Sequence, residues 1–296
     1  MVQSDNEWGK LKEIVLGTSK FMNWSKSDIE YNKILNRGKL DSGPAPDKII
    51  HETEIALDYF QRQLENLGVK VHRPKTMDYQ KRDAFGNYCP RDTVLVVGDK
   101  VILTPTRWRT RRVEWESMIH LFPNAVKPEA PEAMFDAANI IRCNNDIIYL
   151  VSYSGNEEGA NWLESYLGSE YKVHRLRNVY NGMHLDTTIV PLREGLVMLN
   201  AERMTEDDIP IFMKNWDKIW ITEQDLFSQT NSKRTSKWVG MNLLSYDENT
   251  VFCDGKQRGI INKLEKRNIN AIDIPLPHAK YLMGGHHCVT LDLSRN

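Results

Sequence analysis

One arrangement of secondary-structure signals recurs along this chain about every 50 residues and constrains its fold more than any other feature. Each repeat consists of a β-hairpin, an amphipathic helix and a short strand. Gly, Asn and Asp turns between apolar segments predict hairpins at 94–103, 140–151, 188–199 and 243–252. Apolar periodicity predicts helices at 51–67, 112–122, 158–167, 206–216 and 257–266, followed by strands at 69–71, 125–126, 171–176, 219–221 and 269–274.

The two ends of the chain supply a fifth hairpin. A strand is predicted at Leu11–Leu16 with no hairpin mate before it, and another at 289–293 with no partner after it. Pairing these two strands would close a ring of five modules. A polar or reactive residue stands near the start of the first strand of each hairpin: Asp92, Asp136, His184 with Asp186, Ser236 and Cys288. If the modules circle an axis, these residues converge on one central site.

Charge and composition limit the classes of molecule that this protein could bind. With 296 residues the chain is long enough for two ordinary domains or one large α/β domain, and the repeats favour a single domain over 1–296. The net charge is -1 with no long basic run, which argues against nucleic acid as a partner. The cluster Arg107, Arg109, Arg111 and Arg112 favours a solvated helix start over a phosphate site, and leaves an anionic substrate open.

The apolar segments, the N-terminal residues and the four cysteines indicate the cellular compartment in which the protein is expected. No apolar run approaches the ~20 residues needed to cross a bilayer, so no membrane association is expected. The N-terminus resembles neither a signal peptide nor a transit sequence. Cys143 and Cys253 lie in strand-like runs and are predicted to be small core residues. We expect a reduced cytoplasmic protein without a cofactor; assembly as a homodimer stays open.

A cysteine near the C-terminus is the leading nucleophile candidate. Cys288 follows Gly284, Gly285, His286 and His287, a composition that predicts a thiol held in an exposed turn. His184 and Asp136 supply a general base and a carboxylate to orient it, which completes a Cys-His-Asp constellation. The alternative is a metal site at His286, His287 and Cys288, which is less favoured because no complementary ligand pair has the usual spacing.

The order of these motifs resembles the amidinotransferase family, which includes the glycine and inosamine-phosphate amidinotransferases. The resemblance covers nearly the whole chain. The segments that carry it are Glu7-Trp8, Leu11 to Gly17, Leu67-Gly68-Val69, His72-Arg73-Pro74, Pro90-Arg91-Asp92, Phe135-Asp136-Ala137-Ala138, Met183-His184-Leu185-Asp186, Ser236-Lys237-Trp238 and Gly284-Gly285-His286-His287-Cys288. The family implies a five-bladed α/β propeller, in agreement with the repeats, and transfer of an amidino group from L-arginine to an amine with release of ornithine.

The resemblance also implies roles for single residues. Cys288 attacks the guanidinium carbon, His184 protonates the departing ornithine amine, and Asp136 orients His184. Asp92 and Asp186 match guanidinium-binding positions. Arg203 and Ser236 match positions that hold the α-carboxylate, and Asn181 is assigned to substrate binding with them. A neighbouring imidazolium is expected to favour the thiolate form of Cys288. No metal is implied.

Departures from the family pattern leave the acceptor amine undefined. Asn139 stands where the glycine enzyme has a second aspartate, Met283 replaces the first of three glycines, and Gly182 follows Asn181 where a proline often stands. The first alternative function is a hydrolase that resembles the arginine deiminases and uses the same Cys-His-Asp site to form citrulline. The second is a non-catalytic arginine-binding protein, against which the intact Cys288, His184 and Asp136 argue.

Overall fold

The computed structural model describes residues 2–28, 42–227 and 234–296. Within these ranges the chain forms short strands, four α-helices and several 3₁₀ turns. The helices are α1 Asp47–Asn66, α2 Glu157–Leu167, α3 Arg258–Glu265 and α4 Ala279–Leu282. The strands are β1 Leu11–Leu16, β2 Asn23–Trp24, β3 Gly43–Pro44, β4 Lys70–His72, β5 Val94–Val97, β6 Lys100–Leu103, β7 Ile140–Cys143, β8 Asp146–Leu150, β9 Lys172–Leu176, β10 Ile189–Arg193, β11 Leu196–Asn200, β12 Asp217–Ile221, β13 Leu244–Asp247, β14 Thr250–Cys253, β15 Asn270–Asp273 and β16 Thr290–Arg295.

The sheets repeat one strand order. In β7-β8-β9, β10-β11-β12 and β13-β14-β15 an antiparallel hairpin is extended by a parallel third strand. The hairpin β5-β6 is extended in the same way by a parallel bridge between Ile102 and Val126. All four hairpins predicted from turn residues are therefore confirmed.

The chain ends pair as predicted. Strand β1 is antiparallel to β16, with Leu16 opposite Thr290, and parallel to β4. The fifth unit is thus a sheet β16-β1-β4 made from both ends of the chain. Each sheet is small and none closes on itself, so the strand pairing by itself does not establish a five-bladed propeller.

Three of the predicted helices are confirmed, with shifted ends. In α1 the side chains of Leu57, Phe60 and Leu64 are buried, and the helix stops before Gly68, whose φ of +80° suits a residue without Cβ. Helix α2 is capped by Asn156, which accepts a hydrogen bond from the Gly159 N–H, and α3 occupies most of 257–266.

The other two predicted helices are wrong. The segment 112–122 forms two 3₁₀ turns, Glu114–Ser117 and Ile119–Leu121, and 206–216 forms Glu206–Asp208 and Ile211–Met213. Pro210 divides the second segment because it has no N–H and its ring disfavours a helical residue before it. In the first, a buried ion pair between Arg111 and Glu114, three residues apart, accompanies the tighter turn.

Buried side chains form separate clusters around the sheets rather than one continuous layer. Cys143 and Cys253 are buried on β7 and β14, as predicted for small core residues. In the described part of the chain, none of the helices has both the length and the apolar character needed to span a bilayer.

Candidate active site

A cavity of about 420 Å³ lies where the segments preceding β5, β10, β13 and β16 meet. Seven of the eight predicted site residues line it: Asp92, Asn181, His184, Asp186, Arg203, Ser236 and Cys288. The eighth, Asp136, is fully buried and contacts His184. Apart from Arg203, which follows β11, these residues precede the first strand of a hairpin, so the starts of the hairpins do bring their side chains to one place.

The thiol of Cys288 is buried, contrary to the predicted exposed turn; 6% of the residue is accessible. Its N–H donates to Oδ1 of Asn242 at 3.0 Å, and its Sγ donates to Oδ2 of Asp186 at 3.2 Å. A hydrogen bond with Cys89, burial and the negative charge of Asp186 raise the pKa of the Cys288 thiol well above its ordinary value. The surroundings of the thiol thus differ from the expected ones: Cys288 lies between a second thiol and a carboxylate, and both favour its protonated form.

His184 forms a charged pair with the carboxylate behind it. Its Nε2 lies 3.0 Å from Oδ2 of Asp136, which also accepts the indole N–H of Trp108 at 3.0 Å. Its Nδ1 lies 3.9 Å from Oδ1 of Asp92. Burial lowers the pKa of His184, but Asp92 and the hydrogen bond to Asp136 outweigh that effect and raise it to about 9. The imidazole is therefore cationic at neutral pH and can give a proton to a ligand.

Two residues of the cavity wall have left-handed backbone conformations. His184 has a φ of +67°, and the loop around it is tied down by the N–H of Leu185, which donates to Ala138 O at 2.8 Å. Such conformations cost an L-residue about 1–3 kcal/mol and often occur at functional sites. Met283 has a φ of +68° at the end of α4, a position that favours glycine. A glycine at this position would adopt the same conformation without the strain of a Cβ.

Asp186 is held by two donors on one oxygen. Its Oδ2 accepts from Nδ1 of His287 at 2.9 Å and from the Cys288 thiol. Burial raises the pKa of Asp186, but the hydrogen bond and charge of His287 reverse this and lower it to about 2. A second carboxylate, Glu7, lies 3.2 Å from Nε2 of His287. Asp186 is thus an ionised acceptor in the cavity wall.

Asp92 is fixed through one oxygen and open at the other. Oδ2 accepts from Nη1 of Arg111 at 2.6 Å, whereas Oδ1 is buried with no hydrogen-bond partner among residues 2–28, 42–227 and 234–296. Arg111 also binds Glu114; burial raises the pKa of that carboxyl, and the charge of Arg111 opposes the rise. The predicted solvated helix start is therefore wrong at Arg111, which is buried in ion pairs.

The rest of the arginine cluster makes separate contacts. Arg107 stacks on the ring of Tyr153, which lines the cavity, at 4.0 Å from its centroid. Arg109 is exposed beside Asp83, and Nε of Arg112 donates to Thr106 O. The four arginines therefore do not form one anion site.

Arg203 stands at another part of the cavity wall. Its guanidinium stacks on the ring of Tyr180 at 3.9 Å, and Nη1 donates to the hydroxyls of Thr187 and Thr188, both at 2.9 Å. Nη2 lies 3.5 Å from Oγ of Ser236. No carboxylate of the described residues forms an ion pair with it, so its charge is available to an anionic ligand. Burial lowers the pKa of Arg203.

Several wall residues were not predicted as site residues from the sequence. Cys89, in the segment before β5, contacts Cys288. Asn242 binds the Cys288 N–H, and Tyr180 stacks on Arg203. Tyr180 directly precedes Asn181, which could have drawn attention to it; nothing in the sequence marks Asn242.

One departure from the family pattern lies outside the cavity. Asn139 is fully buried, its Nδ2 donates to Leu150 O and Ser152 Oγ, and its Oδ1 accepts from Ser154 Oγ. Its side chain therefore stabilises the loop before β7 and does not line the cavity. Across the described ranges, no group of three or more His, Cys, Asp or Glu side chains is arranged to hold a metal ion.

Comparison with known proteins identifies the class. No family-level sequence profile matches. The chain is 37% identical over 338 aligned positions to inosamine-phosphate amidinotransferase 1 of Streptomyces glaucescens, with 100% of this chain and 97% of that protein covered. It is 31% identical to the L-arginine:L-lysine amidinotransferase of Pseudomonas savastanoi pv. phaseolicola, covering 88% and 82%.

Comparison with solved structures indicates the same class of protein. The structure of an inosamine-phosphate amidinotransferase from Streptomyces griseus superimposes with a TM-score of 0.91 at 35% identity, covering 100% of this chain and 97% of that one. A dimethylarginine dimethylaminohydrolase shares the fold alone, with a TM-score of 0.66 at 18% identity, covering 95% and 99%. Fold and relatives together define a transferase.

The chain belongs to the amidinotransferase family, which confirms the resemblance drawn from its motifs.

Proposed function

We propose that this protein transfers the amidino group of L-arginine to an acceptor amine through a covalent amidino-Cys288 intermediate and releases ornithine. One observation carries the proposal: the Cys288 thiol shares a cavity with two ionisable carboxylates, Asp92 and Asp186, and with the cationic His184. Arginine as the donor is supported by the relative that acts on L-arginine and L-lysine.

The guanidinium would bind between Asp92 and Asp186. A guanidinium offers five N–H donors in a plane and accepts nothing, so its partners must be acceptors. Oδ1 of Asp92, which has no hydrogen-bond partner in the described part of the chain, meets that need. Asp186 presents Oδ1 as well, because both of its hydrogen bonds within the described chain end on Oδ2. A cation between the two carboxylates would also weaken their effect on the neighbouring thiol and ease its deprotonation.

Arg203, with Ser236 and Asn181, would hold the α-carboxylate. Arg203 has no carboxylate partner among the described residues, and Tyr180 and two threonine hydroxyls fix its plane. A planar, oriented guanidinium binds a carboxylate through two parallel hydrogen bonds. Ser236 and Asn181 lie at the exposed side of the same wall.

The first half-reaction transfers the amidino group to the enzyme. The Cys288 sulfur forms a bond to the guanidinium carbon, and the bond from that carbon to Nε of arginine breaks. His184 gives its proton to the departing Nε, and the proton lost by the thiol replaces it on His184. Neutral ornithine amine leaves and a cationic amidino-cysteine remains, so atoms and protons balance. Asp136 would hold the imidazole in place throughout.

The second half-reaction reverses these bonds with another amine. The acceptor amine attacks the amidino carbon, and the carbon–sulfur bond breaks. The cationic His184 gives its proton to the leaving sulfur and takes the proton that the amine loses, which restores the Cys288 thiol and leaves the cationic product. Since both half-reactions use the same carbon and the same imidazole, the kinetics would be ping-pong.

We also infer that residues 1–296 form one catalytic domain, with its five units arranged as a five-bladed α/β propeller around the cavity. The common strand order of the units supports this arrangement. So does the cavity itself, because segments that precede different first strands contribute to its wall.

Product analysis separates transfer from hydrolysis. Arginine labelled at the guanidino carbon is incubated with the protein and a panel of amines that includes lysine, glycine and an inosamine. We expect the label on an amine together with unlabelled ornithine. Label found only in citrulline would instead show that water accepts the group, and would make the protein a hydrolase of the arginine deiminase type.

Replacing Arg203 by alanine is expected to weaken arginine binding more than chemistry. Charge-assisted hydrogen bonds contribute about 1.5–3 kcal/mol each, so the KM for arginine should rise about tenfold to hundredfold with a smaller change in kcat. Steady-state kinetics measure both. Arg177→Ala is the control, because Arg177 pairs with Glu157 at the surface. An unchanged KM in Arg203→Ala would remove Arg203 from the carboxylate site.

A further inference from the structure

His287 stands between two carboxylates, directly before the candidate nucleophile. Its Nδ1 lies 2.9 Å from Oδ2 of Asp186, and its Nε2 lies 3.2 Å from Oε2 of Glu7. The side chain is buried, with 9% of its surface accessible. An ionised carboxylate only accepts hydrogen bonds, so both contacts are satisfied together when each ring nitrogen carries a proton. The geometry is therefore that of an imidazolium held between two acceptors.

We propose that His287 is a positioning residue whose cationic imidazole, anchored by Glu7, holds Asp186 ionised and directs its free oxygen at the substrate guanidinium. This inference rests on the proposed function, in which Asp186 binds that group. It also gives a reason for the Glu7-Trp8 motif, which lies 280 residues from His287 in the chain.

Glu7 is a rigid anchor because it belongs to a buried ion network. Its carboxylate accepts hydrogen bonds from Nε and Nη2 of Arg142 at 2.9 and 2.8 Å, and Nη1 of Arg91 lies 3.7 Å from its Oε2. Asp292 joins Arg142, Arg91 and Arg295 from β16. With two arginines beside it, Glu7 remains charged: burial raises its pKa, but Arg142 and the hydrogen bond to His287 together lower it well below the ordinary range.

The charges that face Asp186 come from several segments. Cys288 donates to it, the cationic His184 lies on its own loop, and Arg203 stands across the cavity. His287 makes a shorter hydrogen bond to Asp186 than Cys288 does, and it supplies the largest effect that opposes burial. Without its charge, burial would dominate and the pKa of Asp186 would rise.

The two hydrogen bonds on Oδ2 also set the direction of the carboxylate. His287 and Cys288 both approach Oδ2, which leaves Oδ1 for a ligand. Loss of His287 would leave only a weak thiol donor on Oδ2, and the carboxylate could rotate. His287 would thus control both the charge of Asp186 and the orientation of its carboxylate.

The test compares His287→Gln with His286→Gln. Glutamine keeps similar bulk and an NH₂ donor group but carries no charge. His286 is the matched control: it is equally buried, adjacent in sequence, and its Nε2 contacts the carbonyl of Ile274 rather than a carboxylate. Any loss caused only by disturbing this packed turn should appear in both variants.

The first measurement is independent of arginine. Carboxyl ¹³C NMR, with the Asp186 signal assigned through Asp186→Asn, follows its ionisation against pH. We expect Asp186 to remain ionised at pH 4 in the parent and in His286→Gln, and to titrate at least one pH unit higher in His287→Gln. Imidazole ¹⁵N shifts should show both nitrogens of His287 protonated at pH 7.5. An unprotonated nitrogen, or an unchanged Asp186 titration in His287→Gln, would overturn the proposal.

The second measurement tests the consequence for substrate. Calorimetric titration of arginine is carried out in a Cys288→Ser background, where turnover is blocked. We expect His287→Gln to weaken binding about tenfold at pH 7.5, the scale of one charge-assisted hydrogen bond, and to move the acid limb of binding to higher pH. Equal behaviour of the two histidine variants would overturn the positioning role. A parent that binds no arginine would contradict the proposed function, while the NMR result would still decide the charge state of His287.

Discussion

Replacing Cys288 by alanine is expected to abolish ornithine release while leaving arginine binding nearly intact. The thiol forms the bond that the whole reaction depends on, and loss of a nucleophile in a comparable site lowers kcat by about 10⁴-fold or more. In the proposed mechanism the guanidinium contacts come from Asp92 and Asp186, which line the same cavity and which this change leaves in place. Arginine affinity should therefore change little. Ornithine release, measured over many enzyme equivalents, and calorimetric binding test the two halves of this expectation.

The covalent intermediate can be located directly. Acid quenching of the parent with arginine and no acceptor should trap one amidino group, and peptide mass spectrometry should place it on Cys288. Cys89 is the competing thiol, because it contacts Cys288 in the same cavity. In Cys89→Ala the adduct should stay on Cys288. Cys143→Ala, which removes a buried thiol from β7, controls for loss of a core cysteine. Turnover that survives in Cys288→Ala would contradict the mechanism.

Replacing His184 by glutamine is expected to lower kcat by about 10²–10⁴-fold, the range of general acid–base catalysis. Glutamine can keep a hydrogen bond to Asp136 but cannot transfer a proton. Because departure of ornithine needs its proton, the reaction should slow more than binding weakens. Steady-state kinetics and arginine titration separate the two effects. His174→Gln is the matched control, since His174 pairs with Asp146 at 2.5 Å on β9, remote from the cavity.

The pKa of His184 determines in which direction activity should change with pH. Burial lowers the pKa of His184, but Asp92, Asp136 and Asp186 together raise it to about 9, so the imidazole is the acid form at neutral pH. The value of kcat/KM for arginine reports the free enzyme and should fall as pH rises through about 9. In His184→Gln that limb should disappear. A limb that persists unchanged in the variant would assign it to another group.

Much of the fold follows from local patterns in the chain. Turn residues between apolar segments predict all four internal hairpins, and the unpaired strand signals at the two ends predict the pairing of β1 with β16. Helix α1 follows from its apolar stripe and the glycine after it. The helices predicted at 112–122 and 206–216 fail because periodicity alone does not register Pro210 or the buried pair of Arg111 with Glu114.

The candidate site, like the fold, can be predicted only in part from the sequence. The residue types at Cys288, His184 and Asp136 indicate nucleophilic catalysis, and the resemblance to the amidinotransferases implies guanidinium binding at Asp92 and Asp186. Their surroundings do not follow from the sequence. The glycines and histidines before Cys288 predict a thiol in an exposed turn, whereas Cys288 is buried and its thiol donates to Asp186. The arginine cluster predicts a solvated Arg111, whereas this side chain fixes one oxygen of Asp92.

The sequence by itself determined the modules, the order of the strands and the kinds of reactive group, because these depend on periodicity, turn residues and residue identity over short stretches. Only the tertiary structure decided which groups meet, which are charged and which oxygen is left for a ligand. A pKa depends on burial and on charges within a few ångströms, and those charges come from distant parts of the chain, as with Glu7 and His287.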